Sequence, residues 1–180
     1  MNKKKLKQIE ECTNQLLTRH NLYSIPVDVE SLAAALHLDI IEHDLNQEIS
    51  GLLITAENIS TIGVNSNNSP TRRRFTIAHE IGHYVLGHQR EGVFIDKPNN
   101  LYTIIYRDQN SSTGEYLQER EANAFAAALL MPKELIHSCL KNTKFDFEDP
   151  NLDVISELAD KFEVSNQAMG FRLSNLNLLW

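Results

Sequence analysis

Cysteine is scarce in this chain, with Cys12 and Cys139 the only two in 180 residues. Two cysteines cannot staple a domain of this size, so stability must come from a packed core, and a reducing compartment is expected. Glycine and proline are also few, at seven and five, which excludes collagen-like repeats and low-complexity linkers. Long apolar runs are missing. No stretch approaches the roughly 18 apolar residues of a membrane span. The basic start Met1-Asn2-Lys3-Lys4-Lys5 runs into a segment with polar residues every two or three positions, not the apolar core of an export signal. A cytoplasmic protein with no membrane partner is expected. Net positive charge is lacking too. Seventeen Lys and Arg face 24 Asp and Glu, a net −7, the wrong sign for a domain that holds nucleic acid by its phosphates. What remains, 42% hydrophobic and 23% charged residues, suits one globular domain, or one with a small appendage.

Apolar spacing predicts a helix from Lys4 to about Arg19, carried by Leu6, Ile9, Leu16 and Leu17. A second helix starts after Ile25-Pro26 with Asp28 as cap. Ile40-Ile41, Gly51 to Thr55 and Ile59 to Asn65 read as short strands, with a turn at Glu57-Asn58. Ser69-Pro70 is a strong helix start, and Gly87 is a natural stop. Residues 89–114 read as polar and irregular, with a strand-like piece at Leu101 to Tyr106. Ser112 and Glu115 form a capping box opening a helix that Pro132 ends. Short helices follow near Lys133–Leu140, Asp153–Phe162 and Ser165–Ser174, with an acidic loop from Asp146 to Pro150.

The chemistry sits in His79-Glu80-Ile81-Gly82-His83, the pattern H-E-x-x-H, in the middle of the helix that Ser69 caps. Residues four apart stack on one helix face, so two imidazoles can reach one Zn²⁺. Glu80 is placed beside such a metal, where its carboxylate can take a proton from water. A third ligand is needed. His88 lies one residue short of the metzincin position, and with the helix running to Gly87 it points away from the ligand face. It reads as a surface histidine or one behind the ligands. Glu119 is the better choice, on a helix whose Ala122, Phe125, Ala126 and Leu129 form an apolar stripe. Asn123 shares its face and suits the orienting of a ligand histidine. Glu121, about 200° round that helix from Glu119, and Glu115 are the fallbacks.

With RRRFTIAHEIGHYVLGH at 72–88 and EREANAFAAALLMP at 119–132, the chain resembles the ImmA/IrrE-type metallopeptidases. PVDVESLAAALHLDI at 26–40 adds weaker support. The resemblance implies a compact, gluzincin-like α+β fold with a small antiparallel or mixed sheet. It also implies a bound zinc held by His79, His83 and Glu119, with Glu80 as general base. Characterised relatives are cytoplasmic bacterial or mobile-element proteins that relieve repression by cleaving a helix-turn-helix repressor, so a protein substrate of that kind is the implied partner. Tyr102, Tyr106, Arg107 and His137 are the candidates to stabilise the oxyanion. A substrate peptide could add as a strand at a sheet edge near Thr61–Asn65.

The expected organisation is a zincin-like domain over 1–144, with a helix pair at 145–180 packed on it. That pair, around ISELADKFEVSNQAMGFRL, resembles a helix-turn-helix, which makes a non-catalytic or DNA-binding regulator the rival reading. Charge weighs against it, because residues 145–180 carry seven acids against Lys161 and Arg172. Arg72-Arg73-Arg74 lies in the first turn of the metal helix, where the dipole disfavours cations. Pairing with the chain's own acids is expected over capture of an acidic substrate.

Overall fold

The computed structural model describes residues 1–46, 49–56, 59–88, 92–96, 114–142 and 153–178. Among them lie seven helices and four strands in an α+β arrangement. Their order is α1 (Lys3–Arg19), α2 (Val29–Ala35), β1 (Leu38–His43), β2 (Gly51–Ala56), β3 (Ile59–Asn65), α3 (Pro70–Val85), β4 (Gly92–Asp96), α4 (Gly114–Leu130), α5 (Lys133–Asn142), α6 (Val154–Phe162) and α7 (Asn166–Asn175). The turn at Glu57-Asn58, the strand at Leu101 to Tyr106, the cap at Ser112 and the loop at Asp146 to Pro150 fall outside the described residues. β4 lies within the stretch read as irregular.

The helix starts follow capping chemistry. Asp28, Ser69, Asp153 and Ser165 each accept a hydrogen bond from the backbone N–H three residues on, which satisfies a donor that the first helical turn leaves open. Ile9, Leu16 and Leu17 bury the inner face of α1, while Leu6 stays exposed. One apolar cluster joins Leu17 of α1, Leu32 of α2, Ile62 of β3, Ile81 of α3, Phe125 of α4 and Phe162 of α6.

The sheet is mixed, in the order β1-β3-β2-β4, with β1 parallel to β3 and the other pairs antiparallel. This corrects the expected peptide-docking edge. Thr61 pairs with Asp39 on one side and Ile54 on the other, so β3 is an interior strand with no ladder left to offer. β1 and β4 are the outer strands. The buried Asn65 side chain donates to the carbonyls of Leu45, Asn46 and Ile49, and so ties the loop between β1 and β2 against the end of β3.

The arginines at the start of α3 turn to the chain's own groups, as expected. Arg73 pairs with Glu42 at 2.7 Å, Arg74 with Glu163 at 3.4 Å and the Val27 carbonyl at 2.9 Å, and Arg72 donates to Ser50 Oγ at 2.6 Å. No helix among the described residues is long and apolar enough to cross a membrane.

Candidate metal centre

α3 and α4 pack against each other, and Gly82 sets how closely. A Cβ at that position would stand 3.2 Å from the Ala122 carbonyl oxygen and 3.1 Å from Phe125 Cδ1. A residue without a side chain therefore lets the two backbones approach, and the small Ala122 and Ala126 line the same contact, fully buried. The approach brings Glu119 over the paired histidines. His79 Nε2 lies 3.3 Å from Glu119 Oε2, His83 Nε2 lies 3.2 Å from Glu119 Oε1, and the two Nε2 atoms are 3.0 Å apart. Tetrahedral bonds of about 2.0–2.1 Å would separate neighbouring donors by about 3.3 Å, close to these spacings. Among the described residues, His79, His83 and Glu119 are the one group of three such side chains that could hold a metal ion.

The protonation states suit that chemistry. Asn123 Oδ1, which can only accept, lies 2.9 Å from His79 Nδ1. Nδ1 therefore carries the proton, and Nε2 presents its lone pair to the shared space. Burial lowers the pKa of His83 below its ordinary value, against the opposing hydrogen bond and charge of Glu119, and so favours the neutral ring that a metal needs. Burial alone would raise the pKa of Glu119, but the two imidazoles beside it, which donate to it and add charge when their Nε2 atoms are protonated, outweigh burial and hold the carboxyl far below the usual range, so that it stands ready as an ionised ligand. Two imidazoles and one carboxylate are a borderline-soft donor set that fits zinc.

Glu80 is buried beside this group, on the side of the sheet. Its Oε1 lies 3.7 Å from where a Cβ would stand at Gly51, the first residue of β2. The same hypothetical Cβ would meet Thr76 Cγ2 at 2.2 Å, so Gly51 keeps the sheet close to α3 at the level of Glu80.

His88 takes the second of its two expected places, behind the ligands, and not at the surface, although it does not point away from them. It is buried, with Nδ1 3.3 Å from His83 Nδ1 and Nε2 3.2 Å from Glu121 Oε2. The reversal comes from the end of α3. Gly87 takes φ +70°, its N–H bonds to the Tyr84 carbonyl, and the His88 N–H bonds to the His83 carbonyl. That is a Schellman turn, and it folds the chain back along the last turn of the helix. Glu121, a fallback ligand, faces His88 and Lys5 instead of the trio. The side chain of Glu115, and Tyr102, Tyr106 and Arg107, lie outside the described residues. His137 is on α5, where it lines a surface depression with Glu134, Ser138 and Lys141. Cys12 and Cys139 are free thiols, both partly buried.

Comparison with known proteins decides the family. The description of the IrrE N-terminal-like domain, a peptidase family, matches residues 33–174. The chain belongs to the ImmA/IrrE metallopeptidase family. It is 35% identical over 102 residues to the radiation response metalloprotease IrrE of Deinococcus deserti, covering 57% of this chain and 31% of the relative. It is 31% identical over 115 residues to the protein of the same name from Deinococcus radiodurans, covering 64% of this chain and 31% of that one. The match thus spans less than a third of the length of these curated relatives. A solved structure described as a Mycobacterium tuberculosis transcriptional regulator shares the fold, with a TM-score of 0.63 and 17% identity over 93% of this chain and 47% of its own. The family is one of metalloproteases, which agrees with a metal-binding trio on α3 and α4. The family match begins at residue 33, so α1, which carries Lys5, lies outside it.

Proposed function

We propose that this chain is a zinc-dependent endopeptidase that hydrolyses a peptide bond in a specific protein partner, a helix-turn-helix transcriptional repressor. One observation carries the reading. Two imidazole nitrogens and a carboxylate from adjacent helices converge at 3.0–3.3 Å, and one imidazole is fixed in its ligand tautomer by Asn123. Membership of a metalloprotease family supports the reaction class. The resemblance to relatives that cut such repressors supports the choice of substrate.

His79, His83 and Glu119 would hold the ion. Bound there, zinc would supply Lewis acidity toward the scissile carbonyl and lower the pKa of a water beside it. Glu80, next to His79 and walled by Gly51, takes the proton from that water and delivers it to the leaving amine. Asn123 keeps His79 from turning its protonated nitrogen inward. Low dielectric around the buried pair strengthens each of these contacts.

The helix pair α6 and α7 is read as part of the same unit. Arg172, one of the few side chains there suited to reading DNA bases, is instead buried. It donates to both carboxylate oxygens of Glu10 on α1 and to the Met131 carbonyl. That placement weighs against the DNA-binding reading.

The test is incubation of purified helix-turn-helix repressors from the same genome with the wild type and with Glu80→Gln, followed by mass spectrometry for cleavage. The variant is expected to keep its metal and lose about 10²–10⁴-fold in rate. Cleavage that survives the substitution would refute the role of Glu80.

A further inference from the structure

Behind the two histidines of the trio stand two different supports. Asn123 backs His79 directly. His83 is backed by a longer line that crosses three elements: its Nδ1 faces His88 Nδ1 at 3.3 Å, His88 Nε2 faces Glu121 Oε2 at 3.2 Å, and the same Glu121 oxygen meets Lys5 Nζ of α1 at 2.9 Å. We infer that His88 and Glu121 are positioning residues that set the tautomer of His83 and so present its Nε2 lone pair for metal. This deepens the metal-site reading above and rests on it.

Donors and acceptors along this line fix where each proton sits. The Glu121 carboxylate, paired with Lys5, can only accept, so the proton of a neutral His88 must sit on Nε2. His88 Nδ1 then has a lone pair and no hydrogen. The hydrogen bond between the two Nδ1 atoms must therefore be donated by His83, which places the His83 proton on Nδ1. Nε2 is left bare, facing His79 Nε2 and Glu119. Reversing any link reverses the outcome. A proton on His88 Nδ1 would force one onto His83 Nε2 and block the ligand position.

The local fold makes the line possible. Gly87, in the left-handed region, reverses the chain so that His88 returns to the level of His83. Glu121 projects to a different side of α4 from Glu119, toward α1 and the end of α3, and is thus free of the trio. One helix therefore supplies a donor to the trio and, through Glu121 and Asn123, both of the groups that orient its histidines. Among the described residues, α1 meets this line through Lys5.

The experiment has two readouts, both in the intact chain at pH 8. Nitrogen-15 spectra of the metal-free protein should show the His83 proton on Nδ1 in the wild type and a mixture of tautomers in His88→Leu. Zinc affinity, measured with Zn²⁺ against a competing chelator, should fall about 10–100-fold in His88→Leu. His88→Gln, whose amide oxygen can accept from His83 and whose amide nitrogen can donate to Glu121, should stay within about threefold of wild type. Glu121→Met, at a partly exposed position, should weaken zinc binding about tenfold and guards against a folding defect in the His88 variants. A wild-type spectrum with the proton on Nε2 would overturn the inference. So would His88→Leu or Glu121→Met binding zinc as tightly as the wild type at unchanged melting temperature. A wild type that binds no zinc overturns the metal-site reading itself, and the tautomer spectrum tells that failure from this one.

Discussion

Two helix pairs in this chain bury polar side chains, and they bury them to opposite ends. In the α6–α7 pair, Arg172 is buried, but its charge is met by Glu10 and its Nε–H by the Met131 carbonyl. The group is consumed by the fold. In the α3–α4 pair, His79, His83 and Glu119 turn their donor atoms toward one another. With both histidines protonated on Nδ1 these three atoms are all acceptors, an arrangement suited to holding a cation among them rather than to tying two helices together. A buried polar residue with a complementary partner locks two elements together. A set of acceptors converging on one point makes a ligand site.

The contrast can be broken at several strengths. Removing a member of the trio should have the largest effect: Glu119→Ala should weaken metal binding by at least about 10³-fold, since a ligand itself is lost, while the variant still unfolds cooperatively. Retained affinity in a chelator competition would show that the trio is not the site. Gly82→Val presses a branched side chain into the Ala122 carbonyl and Phe125, so a loss of about 1–3 kcal/mol in denaturant unfolding is expected, with weaker metal binding as Glu119 is pushed away. Arg172→Met should cost a similar or smaller amount, about 1–3 kcal/mol, because it strands Glu10 and a carbonyl. Its metal content should not change. A drop in metal binding there would erase the distinction between the two pairs.

The smallest expected effect concerns pH. Burial depresses the pKa values of His83 and His88 below the ordinary 6.5, and Glu119 lies below its ordinary 4.5. On acidification the unfolded chain therefore takes up protons before the folded one does. Stability of the metal-free protein is full above about pH 7 and falls with pH, first through the histidine range and then below the usual carboxylate value. Thermal melts at pH 7.5 and pH 5 should show the loss, and His83→Gln should shrink it. An identical loss in that variant would place the acid sensitivity elsewhere.

How far the sequence could be read follows from the range of each interaction. The helix caps are set by neighbours three residues away: Asp28 and Ser69 cap where local pattern put them, and Asp153 and Ser165, where helices were expected to begin, cap as well. The facing of His79, His83, Glu119 and Asn123 rests on helical spacing plus one close crossing, and both were legible in the small residues of α4. Strand order was not. Thr61 and Ile54 meet across a hairpin, but Thr61 and Asp39 meet through a crossover, and nothing within the β3 segment announces a second partner. His88 shows a subtler limit. Gly87 was readable as a stop, yet its positive φ also decides where the next side chain goes, and following the helix past that point sent His88 the wrong way. Glu121 was correctly placed on another side of α4 from Glu119. Its purpose emerged only once α1 and the end of α3 stood beside it.

Native mass spectrometry of the purified chain, with metal identity read by elemental analysis, tests the central claim most directly. The account predicts about one equivalent of zinc in the wild type and in Glu80→Gln, and none in a His79→Ala/His83→Ala double variant that still unfolds cooperatively. A wild type that takes up no zinc, or a double variant that keeps it, would contradict the account.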